Sequence, residues 1–475
     1  MGSTRDGAAT PGDRPPRARL RRTATALVAL ALAGSAGTAA GLTLPTLIHA
    51  RPPTATRVAI AAPIPKLGPL AVTAPTATAA GVGAALDPLA AARGLGDFTG
   101  VVTDPATGAV LWDHTGGTPL VPGSTAKLLT TAAALLTLDQ TDRLATKVVA
   151  GPDPGTVVLV GGGDPTLTAL PAGKQGVYPD PSRLTALADA VRKAAKAPVT
   201  RVLVDTGRYQ GATLQSSWEP SDVPGGFVAP IEPVMLDGGR ADPSAQDGPR
   251  VADPALTAGR ALAGLLGADT ATVAKGTATP DATVLGTVVS APISDLVEHT
   301  IRTSDNVLAE VLSREVAIER DGDPSFSGAA SETLAALAQA GFDVSGAKMV
   351  DGSGLSTDDR IPAKLLGAVL ASAAAPAQNP TDAQILRPII AGLPVAGGDG
   401  TLDDRFGAAT PAAAGRGVVR AKTGTLTGVS SLAGITTDAD GRLLVFAFMS
   451  NDVIPSVVRP RLDAIAARLS RCGCR

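Results

Sequence analysis

The sequence predicts a mixed α/β (α+β) fold, in which one sheet takes strands from both ends of the folded chain and a smaller inserted domain interrupts it. Strand-like runs lie near the two ends of the folded part, at residues 98–103, 109–114, 418–423, 429–435 and 443–449. Helical periodicity of apolar residues fills much of the chain between them. A middle stretch with many glycines and prolines, residues 151–292, breaks that pattern and predicts the insertion.

Length and composition limit the classes of protein to consider. A chain of 475 residues exceeds one ordinary domain, and its 44% apolar residues suffice for a sizeable core. A net charge of -2 gives no reason to expect a nucleic-acid partner. The only cysteines are Cys472 and Cys474, where a disulfide would close a very small loop and two unreactive thiols are an equally good interpretation. No Cys/His spacing indicates a metal, and we expect no cofactor.

The N-terminus has the pattern of an export signal. Five arginines between residues 14 and 22 precede an uncharged run over residues 23–50. Basic residues before an apolar segment predict a cytoplasmic tail followed by a signal peptide or a membrane anchor, and both interpretations stay open. Residues 51–83 are rich in alanine, proline and threonine and suit an extended linker. The folded part is therefore expected outside the cytoplasm, either membrane-anchored or secreted.

The first folded segment, residues 84–150, begins with a short predicted helix at 84–93. The two strands that follow are joined by Asp-Pro-Ala-Thr-Gly at 104–108, which is turn chemistry and predicts a hairpin. After Ser124, apolar residues recur with helical period over residues 125–138. Ser124 is thus predicted to lie at the N-terminus of a helix that packs into the core.

The predicted insertion, residues 151–292, contains short strands at 156–160 and 201–204 and a helix at 182–196. A helical pattern returns at Ile293, with Ser304 predicted to cap a helix within it. Residues 293–475 complete the domain begun at residue 84. They end in three strands and a last helix at 456–469.

Three short motifs occur in a fixed order: Ser-Thr-Ala-Lys at 124–127, Ser-Asp-Asn at 304–306 and Lys-Thr-Gly at 422–424. Each motif alone is weak evidence for a catalytic site. Ser345 and Lys348, for example, have the same spacing as Ser124 and Lys127. That second pair has neither a following apolar helix nor a later Ser-x-Asn. Chance would produce the whole ordered set on the order of once in a thousand such sequences. The set therefore predicts one site that uses all three motifs.

The spacing of Ser124 and Lys127 suits nucleophilic catalysis. Residues three apart share a helix face, so the amine can reach the hydroxyl and remove its proton. This requires a neutral Lys127, and burial together with the nearby cation of Lys422 is expected to lower its pKa. The backbone N–H groups of Ser124 and Thr425 are expected to stabilise an oxyanion. The histidines at positions 49, 114 and 299 are expected to be structural.

These motifs resemble those of penicillin-binding proteins and serine β-lactamases. Further segments resemble the low-mass, class C D-alanyl-D-alanine carboxypeptidase/endopeptidase family (peptidase S13), at residues 104–111, 121–124, 161–165, 351–356 and 422–426. The resemblance covers about residues 84–469. The long gap between Ser124 and Ser304 matches the inserted domain of that family, although it is shorter than in fuller members.

The resemblance implies a penicillin-binding, transpeptidase-like domain with an antiparallel sheet flanked by helices. It implies cleavage of peptidoglycan stem peptides that end in D-Ala-D-Ala, through an acyl-enzyme on Ser124 with Lys127 as its base, and acylation by β-lactams. Ser304 would relay a proton to the leaving amine, and Asn306 would orient the substrate amide. The terminal carboxylate would be held by the residues Lys422, Thr423, Gly424 and Thr425.

Two other functions stay open at this stage. A serine β-lactamase would need an efficient deacylating base, which no glutamate evidently supplies, and a silent sensor would keep the motifs without turnover. The loop at 351–356 is either a tight turn or part of the site. Asp164, which follows three glycines, is expected to be a turn residue rather than an acid catalyst.

Overall fold

The computed structural model describes residues 74–376 and 385–475. The predicted arginine-rich tail, the apolar run, His49 and the linker up to residue 73 lie outside these ranges. Among the helices of the described residues, none is both long enough and apolar enough to cross a membrane. The signal or anchor therefore stays a prediction.

The secondary structure of the described residues alternates between strands and helices. The strands are β1 Asp97–Thr103, β2 Val110–His114, β3 Pro119–Leu120, β4 Arg143–Ala150, β5 Thr156–Val160, β6 Arg201–Asp205, β7 Ala274–Lys275, β8 Val284–Pro292, β9 Ile361–Pro362, β10 Arg420–Leu426, β11 Val429–Thr437 and β12 Leu443–Asn451. The helices are α1 Ala79–Ala90, α2 Lys127–Thr137, α3 Leu184–Ala194, α4 Pro254–Leu266, α5 Ile293–Thr303, α6 Asn306–Glu319, α7 Phe326–Gln339, α8 Ala363–Ala374, α9 Arg387–Gly392 and α10 Pro455–Ser470.

The first sheet has five strands in the order β10-β11-β12-β1-β2, and every neighbouring pair is antiparallel. In its centre, Val101 of β1 lies opposite Ala447 of β12. The prediction of a mixed fold with one sheet built from both ends of the folded chain is confirmed. Strand β10, which carries the Lys-Thr-Gly motif, lies at one edge of this sheet.

Both faces of the first sheet are covered by helices. Side chains alternate between the two faces of a strand, so β12 contributes to two separate hydrophobic clusters. One face of β12 packs on α8 through Val445, Ala447 and Met449, which belong to a hydrophobic cluster that also contains residues of α2, α5 and α6. The other face packs with α1 and α10 through Leu444, Phe446 and Phe448. Because both faces are packed, the sheet is well ordered and fixes the position of the Lys-Thr-Gly motif on β10.

The second sheet is built from residues 143–292, which we call the second-sheet segment. Its strand order is β7-β6-β5-β4-β8, with antiparallel pairs around β4 and parallel pairs on either side of β6. Helices α3 and α4 bury their apolar sides against it, in a cluster that includes Leu187, Val202 and Leu262. That these residues form a separate inserted domain stays a prediction.

Helix α2 is almost completely buried in the centre of the molecule. Its Leu128, Leu129 and Leu135 belong to the largest hydrophobic cluster, as their helical spacing predicts. The predicted helix starts differently in the structure, because a short 3-10 turn, Gly123–Ala126, precedes the α-helix. Ser124 lies in that turn, and Lys127 is the first residue of α2.

Helix α1 begins at Ala79, earlier than predicted and inside the stretch predicted as linker. Thr78 caps the helix, since its hydroxyl accepts a hydrogen bond from the Gly81 amide at 3.0 Å. The start of α1 also contacts the C-terminus, because the Thr78 amide donates a hydrogen bond to the carbonyl of Cys474 at 2.6 Å. Cys472 and Cys474 are joined by a disulfide, so they are not two free thiols.

Candidate active site

Segments far apart in sequence meet at the start of α2, as the ordered motifs predict. Lys127 Nζ lies 2.9 Å from Ser124 Oγ and 2.6 Å from Asn306 Oδ1. Lys422 Nζ lies 2.8 Å from Ser304 Oγ. Tertiary packing of α2, the α5–α6 connection and β10 therefore places all three motifs in one site.

Lys127 is fully buried and donates to three oxygens. Besides Ser124 and Asn306, its ammonium contacts the backbone carbonyl of Ser353 at 2.7 Å. Burial lowers the pKa of Lys127 to about 8, although the charges of Asp351 and Glu310 act in the opposite direction. About one-tenth of this amine is thus neutral at pH 7, and its position beside Ser124 Oγ allows the neutral form to accept a proton.

Lys422 is also fully buried, and its pKa is well below the ordinary value for a lysine. Burial is the main cause, and the charge of Lys127 adds to it. The expectation that burial lowers the pKa of Lys127 is confirmed, whereas the charges that act most on Lys127 are those of carboxylates rather than of Lys422. Lys422 Nζ also donates to the carbonyl of Thr423 at 2.7 Å.

Ser304 does not cap α6, contrary to the sequence prediction. Asp305 does so instead, with its carboxylate accepting a hydrogen bond from the Leu308 amide at 2.9 Å. Ser304 ends α5 in the left-handed backbone region, with φ of 61°. This conformation is uncommon for a residue other than glycine, and it turns the hydroxyl toward Lys422.

The first residue of the Ser-Thr-Ala-Lys motif packs directly on the Lys-Thr-Gly strand. A Cβ atom on Gly424 would lie 3.1 Å from the Ser124 amide nitrogen and 2.1 Å from Ser431 Oγ. A Cβ atom on Gly123, whose φ is 53°, would lie 3.1 Å from the Thr425 amide nitrogen. Only glycine at position 424 permits this close approach of the Gly123–Ser124 backbone to the Gly424–Thr425 backbone.

Comparison with known proteins agrees with this arrangement. The D-Ala-D-Ala carboxypeptidase 3 (S13) family matches the chain in two stretches, residues 82–250 and 244–472. The chain belongs to this family. It is therefore a serine-type D-Ala-D-Ala carboxypeptidase, a hydrolase, and the recognised resemblance is confirmed.

Curated relatives are similar over most of their length. A carboxypeptidase of Mycobacterium tuberculosis is 45% identical, over 86% of this chain and 87% of the relative. The carboxypeptidase DacB of Mycolicibacterium smegmatis is also 45% identical, over 86% of this chain and 88% of its own. The crystal structure of penicillin binding protein 4 from Haemophilus influenzae shares the fold, with a TM-score of 0.66 and 20% identity, over 83% of this chain and 100% of the other.

The carboxypeptidase site also uses a loop whose role the sequence left open. In the Asp-Gly-Ser-Gly-Leu-Ser run at 351–356, the amides of Gly352 and Ser353 donate to the buried carboxylate of Glu310, at 3.0 and 2.8 Å. Asp351 accepts from the amides of Gly354 and Ser356. These bonds hold the Ser353 carbonyl against Lys127. The run is both a tight turn and part of the site.

Glu310 was not among the residues predicted for the site. Burial and the charge of Asp351 raise the pKa of Glu310 to about 7. The sequence offers one signal: Glu310 follows Asn306 by four residues, which places both on one side of α6. Its partner loop lies some forty residues later, and no spacing rule links the two.

Arg459 is a second residue that sequence reasoning missed. It lies on α10, and its Nη2 donates to Thr425 Oγ1 at 3.0 Å on the exposed side of the site. Thr423 Oγ1, further along β10, donates to Thr401 Oγ1 at 2.8 Å. A cation and two hydroxyls therefore line the outer part of the Lys-Thr-Gly strand.

The remaining candidates have structural surroundings. Asp164 is buried and accepts from the amide and hydroxyl of Thr166 at 2.8 and 2.6 Å, which confirms it as a turn residue. His114 stacks on Trp112, with ring centroids 5.6 Å apart, and His299 packs on Tyr178 at 5.2 Å. Within the part of the chain that the structure describes, Lys127 is the basic side chain that hydrogen-bonds to Ser124.

Proposed function

We propose that Ser124 is the nucleophile of this carboxypeptidase and Lys127 its general base. The observation that carries the proposal is a fully buried amine, with a lowered pKa, 2.9 Å from a hydroxyl at the start of a buried helix. Lys127 accepts the hydroxyl proton as Ser124 Oγ bonds to the carbonyl carbon of the penultimate D-alanine. The peptide C–N bond then breaks, and water later hydrolyses the ester.

The negative charge that develops on the carbonyl oxygen needs donors that are already in place. We assign this role to the amides of Ser124 and Thr425, and the close packing of Gly123 on Gly424 supports the assignment. A side chain at position 424 would collide with Ser431 and with the Pro122 carbonyl, and would separate the two amides.

The leaving D-alanine needs a proton, and Ser304 is placed to pass it on. Its hydroxyl lies 2.8 Å from Lys422 Nζ, across the site from Lys127. Asn306 holds Lys127 through Oδ1 and orients the substrate amide. These two residues, on one short loop, thus connect proton transfer with substrate placement.

The free carboxylate of the substrate binds along β10. Lys422 Nζ supplies N–H donors, and a bound carboxylate favours its protonated, positively charged form. Thr423 and Thr425 supply hydroxyls beside the closely packed Gly424. Arg459 adds a second cation at the exposed end, through Thr425. Peptidoglycan stem peptides that end in D-Ala-D-Ala present the required carbonyl and carboxylate, and β-lactams present the same pair. The N-terminal segment would keep the enzyme outside the cytoplasm, as an anchor or as a removed signal.

Turnover assays test the function directly. We expect D-alanine release from a D-Ala-D-Ala peptide to be faster than penicillin hydrolysis, because the amine that leaves penicillin stays tethered and blocks water. Glu310, a buried carboxylate near Lys127, is occupied by the Gly352 and Ser353 amides and does not activate water at Ser124. Penicillin hydrolysis faster than peptide hydrolysis would make the protein a β-lactamase.

The rate of acylation should depend on pH through Lys127. A base with a pKa of about 8 is only about one-tenth neutral at pH 7, so the rate should rise about tenfold per pH unit below 8 and level off above it. The second-order rate constant for acylation by penicillin, measured from pH 6 to 9.5, tests this. A flat profile over that range would contradict Lys127 as the base.

Removal of Lys422 should affect free-acid substrates most. We expect Lys422→Ala to lower kcat/KM for peptides with a free terminal carboxylate by about 100-fold or more, and for amidated peptides much less. Arg459→Ala should shift the same preference by a smaller factor, because its contact is exposed. Lys364→Ala is the matched control, since this lysine pairs with Asp113 at the surface. Equal losses for both peptides would argue against carboxylate binding.

A further inference from the structure

We propose that Arg240 and Tyr178, both in the second-sheet segment, are positioning residues that hold the Ser304–Asn306 loop in its working conformation. Neither side chain belongs to the three motifs, and both act through Asp305, the middle residue of the loop. The inference rests on the proposed roles of Ser304 and Asn306 in acylation. It gives the second-sheet segment a part in the chemistry of the site.

The contacts form a closed triangle. Arg240 Nη2 lies 2.9 Å from Asp305 Oδ2, and Tyr178 donates its hydroxyl to the same oxygen at 3.0 Å. Arg240 Nη1 donates to the Tyr178 hydroxyl at 2.9 Å. The side chains of Arg240 and Asp305 are each only 1% exposed, so water does not compete for these bonds. Burial alone would raise the pKa of Asp305, but the charges of Arg240 and Arg250 keep it below its ordinary value.

Both oxygens of the Asp305 carboxylate are used. Oδ1 accepts from the Leu308 amide and caps α6, while Oδ2 is held by Arg240 and Tyr178. The carboxylate thereby joins the start of α6 to the second-sheet segment. An unusual backbone conformation such as the φ of 61° at Ser304 persists only where the surroundings determine it strongly. This buried triangle supplies that support at the next residue.

The second-sheet segment contacts the loop at another point. Asn306 Nδ2 donates to the carbonyl of Phe227 at 2.9 Å. This bond fixes which way the amide faces and leaves Oδ1 directed at Lys127, 2.6 Å away. Ser304 and Asn306, on either side of Asp305, therefore take their directions from residues 178, 227 and 240.

A buried ion pair affects stability as well as position, so the experiment must separate the two effects. The chain offers a matched control: Arg208, also in the second-sheet segment, makes a two-point contact with Glu315 on the same helix α6. Glu315 lies more than two turns beyond the loop. Arg208→Met thus removes an ion pair between the second-sheet segment and α6 without touching the Ser304–Asn306 loop, although Arg208 is 34% exposed and Arg240 only 1%.

Acylation by a fluorescent penicillin, its binding constant before acylation and the thermal unfolding midpoint should be measured for each variant. We expect Arg240→Met to lower the acylation rate constant by about 10- to 100-fold, since displacement of a reacting group by about 1 Å can cost about 100-fold. Binding should change less than about threefold. Arg208→Met should also lower the unfolding midpoint, by less because its ion pair is more exposed, with acylation within about threefold of the wild type.

Two further variants test the proposal even if Arg240→Met folds poorly. Tyr178→Phe removes one hydroxyl and should lower acylation by about three- to tenfold with little effect on folding. Arg240→Met/Asp305→Asn removes the unpaired charge and keeps an oxygen for the helix cap. It should regain thermal stability relative to Arg240→Met while acylation stays slow, because a neutral amide cannot restore the contacts.

Normal acylation in folded Arg240→Met and Tyr178→Phe would overturn the inference and leave the proposed function intact. Acylation that returns with stability in the double variant, or that falls as much in Arg208→Met, would also overturn it, because the pair would then act on stability alone. Wild-type protein that penicillin does not acylate would refute the proposed function, and the positioning role with it.

Discussion

Replacement of Ser124 with alanine is expected to abolish both D-alanine release and covalent labelling by penicillin. The hydroxyl is only partly buried and hydrogen-bonds to Lys127, so its loss removes the nucleophile and little packing. The thermal unfolding midpoint should therefore stay close to that of the wild type. Intact-protein mass spectrometry after incubation with penicillin measures the labelling directly.

Ser345 provides the matched control for this experiment. It also precedes a lysine by three residues, but it lies on an exposed turn where its amide donates to Asp343. Ser345→Ala should be labelled as fully as the wild type. Stoichiometric labelling of Ser124→Ala, or an adduct that peptide mapping assigns to Ser345, would show that Ser124 is not the nucleophile.

Replacement of Lys127 with methionine is expected to lower the acylation rate by about 10²- to 10⁴-fold, the usual contribution of a general base. Methionine keeps much of the apolar stem that α2 buries, and it removes the amine. The carbonyl of Ser353 and the amide oxygen of Asn306 then lose a donor, so some thermal stability should be lost as well.

The pH profile separates catalysis from damage to the fold. The residual acylation of Lys127→Met should no longer rise through pH 8, whereas a variant that is merely less stable would keep the wild-type profile. Circular dichroism at each pH would verify that the protein is folded. An unchanged profile in Lys127→Met would place the base elsewhere.

The catalytic motifs and the fold class could be predicted from the sequence because they depend on local patterns. A serine and a lysine three residues apart at the start of an apolar helix share one helix face wherever the helix packs. Alternating apolar residues at both ends of the folded chain predict strands, and the hairpin turn predicts their pairing. The helix and strand bounds agree with the structure to within a few residues for α3, β5 and α10.

Local patterns also misassigned some residues. Ser304 was predicted to cap a helix because serine favours that position, yet Asp305 caps α6 and Ser304 takes a left-handed backbone conformation. One carboxylate oxygen of Asp305 accepts the capping hydrogen bond of α6, and the other oxygen contacts the buried Arg240. The preference of serine for helix N-caps is an average over many helices. It does not take account of a tertiary contact such as that between Asp305 and Arg240, which are sixty-five residues apart.

By itself, the sequence determined which residues to propose for the chemistry: Ser124 with Lys127, the Ser304–Asn306 loop, and the Lys-Thr-Gly strand. The spacing and order of the motifs can be recognised in the sequence without knowledge of the fold. Only the tertiary structure decided what surrounds them, namely Glu310 with the loop at 351–356, Arg459 beside Thr425, and Arg240 with Tyr178 behind Asp305. Each of these is a contact between elements distant in the chain, and burial, which controls the pKa of Lys127 and Lys422, exists only once those elements have packed.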